Sequence, residues 1–239
     1  MFIKIAIIGT GNIGTWLLKT LKNQKNLSVV SVSSRNIETL PKNFDLYIFA
    51  LKDDIYEAVL QQIPFKMSHA VHTSGSLSQS ILTPYSEKFG VFYPYQTIKD
   101  YESGIRNDEI PLCIEASDST FENALFQWAI SIFNIVYKVN ETQRFAMHLA
   151  AVFANNFTNA MYEVAYQIFK ENNLDWSLIF PLLKNTFEKI KEDAPHLAQT
   201  GPAIRNDVSI MEKHCNSLQN EDLKKLYQLV SKIIQHQKS

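Results

Sequence analysis

The sequence has 239 residues, 46% of them hydrophobic and 20% charged, with a formal net charge of −1. That is long enough for one large domain or two smaller ones with a real core. The near-neutral charge excludes a protein held by charge on nucleic acid or on an anionic membrane. Cys113 and Cys215 lie far apart, form no metal-ligand spacing and fit a reducing, cytoplasmic setting. The apolar run Ile5 to Ile8 is too short for a secretory leader. The longest uncharged stretch, between Arg144 and Glu163, carries Asn155, Asn156 and Asn159 and makes a poor membrane span.

Phe2 to Ile8 reads as a buried strand. A glycine-rich loop follows, then a helix from about Asn12 to Asn23 with Ile13, Trp16, Leu17 and Leu21 on one face. Leu27 to Ser33 reads as the second strand, completing a β-α-β crossover. Leu46 to Leu51, Ala70 to Thr73 and Gly90 to Tyr93 are the next strands, and Asp53 is placed to cap a helix carrying Ile55, Val59, Leu60 and Ile63. Two further strands, Leu112 to Glu115 and Ile135 to Val139, flank a helix with Phe121, Leu125, Trp128 and Ile132. This alternation predicts an α/β domain over 1–139 with a mostly parallel sheet covered on both faces. After Asn140 the strand signal stops, which predicts an all-α domain over 140–239. Its expected helices are Glu141 to Asn172, Ser177 to Asp193, Asp207 to Leu218 and one capped by Asn220.

Gly9-Thr10-Gly11-Asn12-Ile13-Gly14 has the G-x-G-x-x-G spacing. Gly9 allows a tight turn off the strand, Gly11 lets backbone approach a pyrophosphate, and Gly14 lets the helix pack close to the strand. The helix N-terminus then offers unpaired N–H groups to phosphate. Alone the motif could be a merely structural turn; its place between a strand and a helix of a β-α-β unit points to a dinucleotide. An NAD site usually carries an acidic residue at the end of the second strand. Here Ser34 and Arg35 stand there, suited to a 2′-phosphate and so to NADP; the alternative is an arginine that is simply solvated at the strand end. Ligands of such sheets sit beyond the strand ends. That nominates Ala50, Leu51 and Lys52 after the third strand and Thr73, Ser74, Gly75 and Ser76 after the fourth. After the fifth it nominates Tyr93, Pro94, Gln96 and Thr97. The run from His72 to Ser76 reads equally well as a plain turn and cap.

On an α-helix, His148, Asn155 and Asn159 fall within about 40° of one another. They form a polar stripe opposite Phe153, Phe157, Ala160 and Val164. The stripe could hold substrate, with His148 as proton donor and Asn155 beside it, or bond within a helix–helix or subunit interface. Thr200 and Arg205, in the turn from Gln199 to Asp207, could contact substrate, Arg205 gripping a carboxylate, or could simply support the Asp207 cap.

Gly9 to Gly14, Ser34-Arg35, His72 to Ser76, Phe92 to Thr97, His148 to Asn159 and Gln199 to Asp207 together resemble a family of candidate NADP oxidoreductases. That family joins a Rossmann-like domain to a helical domain similar to the C-terminal domain of 6-phosphogluconate dehydrogenase. Pyrroline-5-carboxylate reductase and the β-hydroxyacid dehydrogenases are more distantly similar. The resemblance implies NADP on the first domain, a small-molecule substrate against the long helix, and a homodimer built largely from the helical domain. One departure stands out. β-Hydroxyacid dehydrogenases carry a catalytic lysine ahead of an asparagine on that helix, whereas Met147 to Tyr162 contains no lysine and Ala151 precedes Asn155 by one turn. The expectation is an NADP-dependent reductase of a small carbonyl or imine; the alternative is a non-catalytic NADP(H)-binding regulator or sensor.

Overall fold

The computed structural model describes residues 2–99 and 109–236. The chain forms two compact units, Met1–Asn159 and Ala160–Ser239.

The first unit is built on a seven-stranded sheet in the order β2-β1-β3-β4-β5-β6-β7. Its strands are β1 (Lys4–Ile8), β2 (Ser28–Val32), β3 (Leu46–Phe49), β4 (Met67–His72), β5 (Ser86–Pro94), β6 (Leu112–Ala116) and β7 (Val136–Lys138). All neighbours pair in parallel except β5 and β6, where Tyr93 faces Cys113 in antiparallel register. Helices α1 (Asn12–Lys22), α2 (Tyr56–Leu60) and α3 (Ser119–Ile130) connect the strands. β4 and β5 begin earlier than the apolar pattern indicates. Their first turns carry Ser68, Glu87 and Lys88, exposed residues that hide a strand start from any reading of hydrophobic runs.

Both faces of the sheet are covered. Ile5 and Ile7 point to one side, with Trp16, Leu17 and Leu21 of α1 and Phe121, Leu125 and Trp128 of α3. Ala6 and Ile8 alternate to the other side, against Tyr56, Leu60 and Leu82. Burying each large apolar side chain contributes about 1.5–3 kcal/mol. The parallel register aligns the strand exits: Gly9 N donates to Val32 O, Ala50 N to Ile8 O and Thr73 N to Phe49 O, at 2.8–3.0 Å. The loops after β1, β2, β3 and β4 therefore lie side by side along one sheet edge. β1 has β2 on one side and β3 on the other, so the chain reverses its winding there, where open α/β sheets take their ligands.

The change from strands to helices comes at Asn140, which caps α4 (Glu141–Ala151) with a capping box to Gln143. The compact unit extends beyond this point to Asn159. α4 passes through a π-helical turn, Val152–Phe157, into α5 (Thr158–Glu171).

The second unit holds most of α5 together with α6 (Phe180–Glu192), α7 (Pro202–Arg205), α8 (Val208–Ser217) and α9 (Glu221–His236). Asp207 accepts from Ile210 N and caps α8, and Asn220 accepts from Asp222 N and Leu223 N at the start of α9. Helices α5, α6, α8 and α9 contain no buried residue among those described. Among the described residues no helix is long and apolar enough to cross a membrane.

Candidate active site

The glycine turn meets the demands of a phosphate cradle. Gly9 sits at φ +117°, and a Cβ there would stand 2.1 Å from Ala50 O. A Cβ on Gly14 would stand 2.0 Å from Gly9 O. These two glycines are required by the close passage of strand, turn and helix. Gly11 differs: a Cβ there would meet nothing within 4 Å, so its outer face is open. Gly11, at the N-cap of α1, has no side chain to cap it, and the first turn, opening with Asn12 and Ile13, carries no acidic residue. The N–H groups at the head of α1 are thus free for an anion. Thr10 turns its carbonyl inward to accept from Thr15 Oγ1 at 3.3 Å. Beside this turn, Ser33 accepts from Arg35 N and starts a 3₁₀ turn, Ser34–Thr39, in which the Arg35 side chain is exposed. The residues present fit a dinucleotide with a 2′-phosphate on its adenosine ribose.

A cavity of about 460 Å³ opens at the same sheet edge. Ile13, Leu51, Thr73, Ser74, Gln96, His148 and Asn155 all line it, as do Asp53, Gly75, Tyr93, Tyr95, Thr97 and Asn156. Tyr93 Oη lies 3.3 Å from His148 Nδ1. Burial pushes the Tyr93 phenol up to about 12, so it keeps its proton at neutral pH. Gly75 leaves the room for this pair, because a Cβ there would stand 2.8 Å from His148 Nδ1 and 2.9 Å from Tyr93 Oη. Asn155 Nδ2 donates to Thr97 Oγ1 at 2.6 Å, and Tyr95 Oη donates to Met147 O at 3.0 Å. The helix is thereby bonded to the β5 exit at two further points.

Two expectations need correction. An unbroken α-helix would put Asn159 in line with His148 and Asn155, but the π-helical turn widens the backbone and changes the phase. The cavity is lined by Asn155 and Asn156 instead, and Asn159 is not among its lining residues. Asp53 does not cap the helix after β3: Lys52 occupies the N-cap position of a 3₁₀ turn with no side-chain cap bond. The Asp53 carboxylate accepts instead from Ser76 Oγ. Ser76, nominated for substrate, supports Asp53 from outside the lining, and exposed Lys52 also lies outside it. Ala50 serves the glycine turn through its carbonyl. Thr200 and Arg205 belong to the second unit, each exposed; Thr200 precedes Gly201, which sits at φ +107°, and Arg205 ends α7.

The largest feature absent from the sequence reading is Arg144, with no exposed surface. Its Nη1 donates to Ser74 O at 3.2 Å and its Nη2 to Glu115 Oε2 at 3.3 Å. Burial raises the Glu115 carboxyl and the Arg144 charge opposes that rise. Glu115 also accepts from Gln79 Nε2 and from Glu141 N, at the head of α4. Next to this pair, His72 Nδ1 accepts from Ser74 N at 3.2 Å. Burial, and secondarily the Arg144 charge, lowers His72 to about 4.

The sequence profile of a family described as "Domain of unknown function (DUF2520)" matches residues 110–234. A solved protein from Bacteroides fragilis, a candidate NADP oxidoreductase, is 31% identical, with 98% of each chain covered and a TM-score of 0.86. A 1-pyrroline-5-carboxylate reductase from Streptococcus pyogenes is 15% identical, with 98% of each chain covered and a TM-score of 0.63. An imine reductase from Myxococcus stipitatus, solved with NADP+, is 12% identical, covering 98% of this chain and 92% of its own, with a TM-score of 0.61. The last two show the shared fold: a Rossmann-like domain followed by helices. No curated protein matches the sequence.

The state of His72 gives a pH prediction. The folded imidazole stays neutral down to about pH 4, whereas the unfolded one takes a proton near 6.5. Its contribution is therefore complete above that unfolded value and is lost as pH falls toward 4. Urea unfolding should show the native chain losing about 2 kcal/mol more than a His72→Asn variant between pH 7 and pH 5. Parallel losses in the two proteins would contradict this assignment.

Proposed function

The chain belongs to the DUF2520 family, and on that premise we propose that it is an NADP-dependent reductase acting on a small carbonyl or imine. The observation that carries this reading is the open face of Gly11 at the uncapped head of α1, on the same sheet edge as the cavity that holds Tyr93 and His148. The 31% identity to a candidate NADP oxidoreductase supports it. Gly9, Gly11, Asn12, Ile13 and Gly14 would hold the pyrophosphate, and Ser34 and Arg35 the 2′-phosphate. When bound, the cofactor supplies hydride. The protein's own part is position and proton handling. Asn155 and Asn156 present amides to the substrate. Tyr93, protonated and bonded to His148, faces the atom on which charge changes. No lysine occurs between Met147 and Tyr162, so the lysine-dependent alcohol oxidation of β-hydroxyacid dehydrogenases has no counterpart here.

The protein also acts as a homodimer in this reading. A helical unit whose main helices hold no fully buried residue among those described leaves Leu178, Leu182, Phe187 and Leu229 more than half exposed. Apolar surface on that scale needs a cover, and a second copy offers the same apolar faces in return.

Consumption of NADPH against a panel of small carbonyls and imines tests the reaction. Turnover with NADPH should fall at least tenfold with NADH, and Arg35→Ala should weaken NADPH by about tenfold or more while leaving NADH nearly unchanged. Equal losses for both cofactors would remove the 2′-phosphate role. NADPH binding without turnover on any panel member would favour a regulatory NADP(H)-binding protein. Sedimentation should give twice the 27.4 kDa chain mass, and a monomer at micromolar concentration would contradict the dimer.

A further inference from the structure

We propose that the cavity recognises its substrate as a cation, the iminium form of a small imine, and discriminates against molecules that carry a carboxylate. The proposal rests on the reductase reading and narrows it from carbonyl or imine to one charged class. Among the described residues, Asp53 is the one carboxylate of the lining, and no lysine or arginine joins it. The nearby guanidinium of Arg144 is bonded to Ser74 O behind the wall, but it is wholly buried and already paired with Glu115. A substrate carboxylate would thus meet Asp53 with no cation in the lining to offset it.

Asp53 is held in place for this task. Its Oδ2 takes the Ser76 hydroxyl hydrogen bond, and Ser76 N donates to Ser74 Oγ at 3.1 Å. Leu77 N donates to the same Ser74 oxygen at 3.0 Å, so the turn after β4 is fixed around the carboxylate's partner. The rings of Tyr93 and Tyr95 line the cavity 6.1 Å apart at an interplanar angle of 68°, and their faces attract cations as well. The Tyr93 oxygen can accept from an iminium N–H while its own hydrogen goes to His148 Nδ1, at 3.3 Å. The chemistry fits the charge. Bound NADPH would supply hydride, with its electron pair, to the iminium carbon and become NADP+. The C=N π pair moves onto nitrogen, giving a neutral amine, and no proton moves in that step.

This charge selection separates the chain from the pyrroline-5-carboxylate reductase that shares its fold, whose named substrate bears a carboxylate. Asp53 is exposed, so solvent screens its field and the preference should be moderate. The test uses the full chain saturated with NADP+, titrated calorimetrically with pyrrolidine, cyclopentanol and L-proline. These are five-membered probes that are cationic, neutral and carboxylate-bearing. Pyrrolidine should bind about tenfold or more tighter than either of the others. Asp53→Asn should bring that ratio close to one and leave NADP+ affinity in place. L-proline or cyclopentanol binding as tightly as pyrrolidine, an unchanged ratio in Asp53→Asn, or no pyrrolidine binding at 20 mM would each overturn the proposal. Failure of NADP+ to bind the native chain in the preceding titration would overturn the reductase reading itself.

Discussion

Arg144 and Glu115 form an ion pair behind the wall of the cavity, and the site is assembled around it. The guanidinium has no exposed surface and joins three segments distant in sequence: α4, which carries it, β6 through Glu115, and the turn after β4 through Ser74 O. A buried charge is tolerated only where it is paired and hydrogen-bonded, and removal of one partner of such a pair typically costs about 3–5 kcal/mol. The pair therefore holds the first turns of the long helix to the sheet. That hold brings His148 to Tyr93 and Asn155 to Thr97. The Arg144 charge also acts alongside burial to keep His72 neutral.

Local patterns carried the glycine turn into plain view. The spacing of Gly9, Gly11 and Gly14 is a requirement of one strand, one turn and one helix, all adjacent in sequence, and the structure gives each glycine a distinct steric setting. The cavity is assembled from contacts that no window of sequence contains. Glu115 lies 29 residues before Arg144, which by position looks like an ordinary arginine in the first turn of a capped helix. Asp53 sits where a cap belongs by local rule, but its partner Ser76 is 23 residues away. Asn156 was hidden by the assumption of a constant helical period, which the π-helical turn breaks. Such turns gather at functional sites because they re-aim side chains without ending the helix.

The two units differ in how completely they satisfy their own apolar surface. The first buries Ile5, Ile7, Leu17 and Phe92 fully between sheet and helices. The second presents its apolar stripes outward, and Ala203 is the sole described residue of that unit that is buried. Helix propensity alone rarely keeps amphipathic helices folded, so the stability of this unit depends on what covers those stripes. In the proposed reading a second copy does, and the helical half serves assembly while the sheet edge serves the chemistry.

The central claim is that a dinucleotide pyrophosphate lies over Gly11. Gly11 is the position at which fold and ligand make opposite demands: its φ of −73° suits any residue and a Cβ meets nothing, so the fold tolerates a side chain there. The most direct measurement is calorimetric titration of NADPH into the native chain and into Gly11→Val, with thermal unfolding of both. The account predicts nearly equal melting temperatures and an NADPH affinity at least about a hundredfold weaker in the variant, a loss of about 2.7 kcal/mol. Equal affinity for NADPH in the two proteins would contradict it.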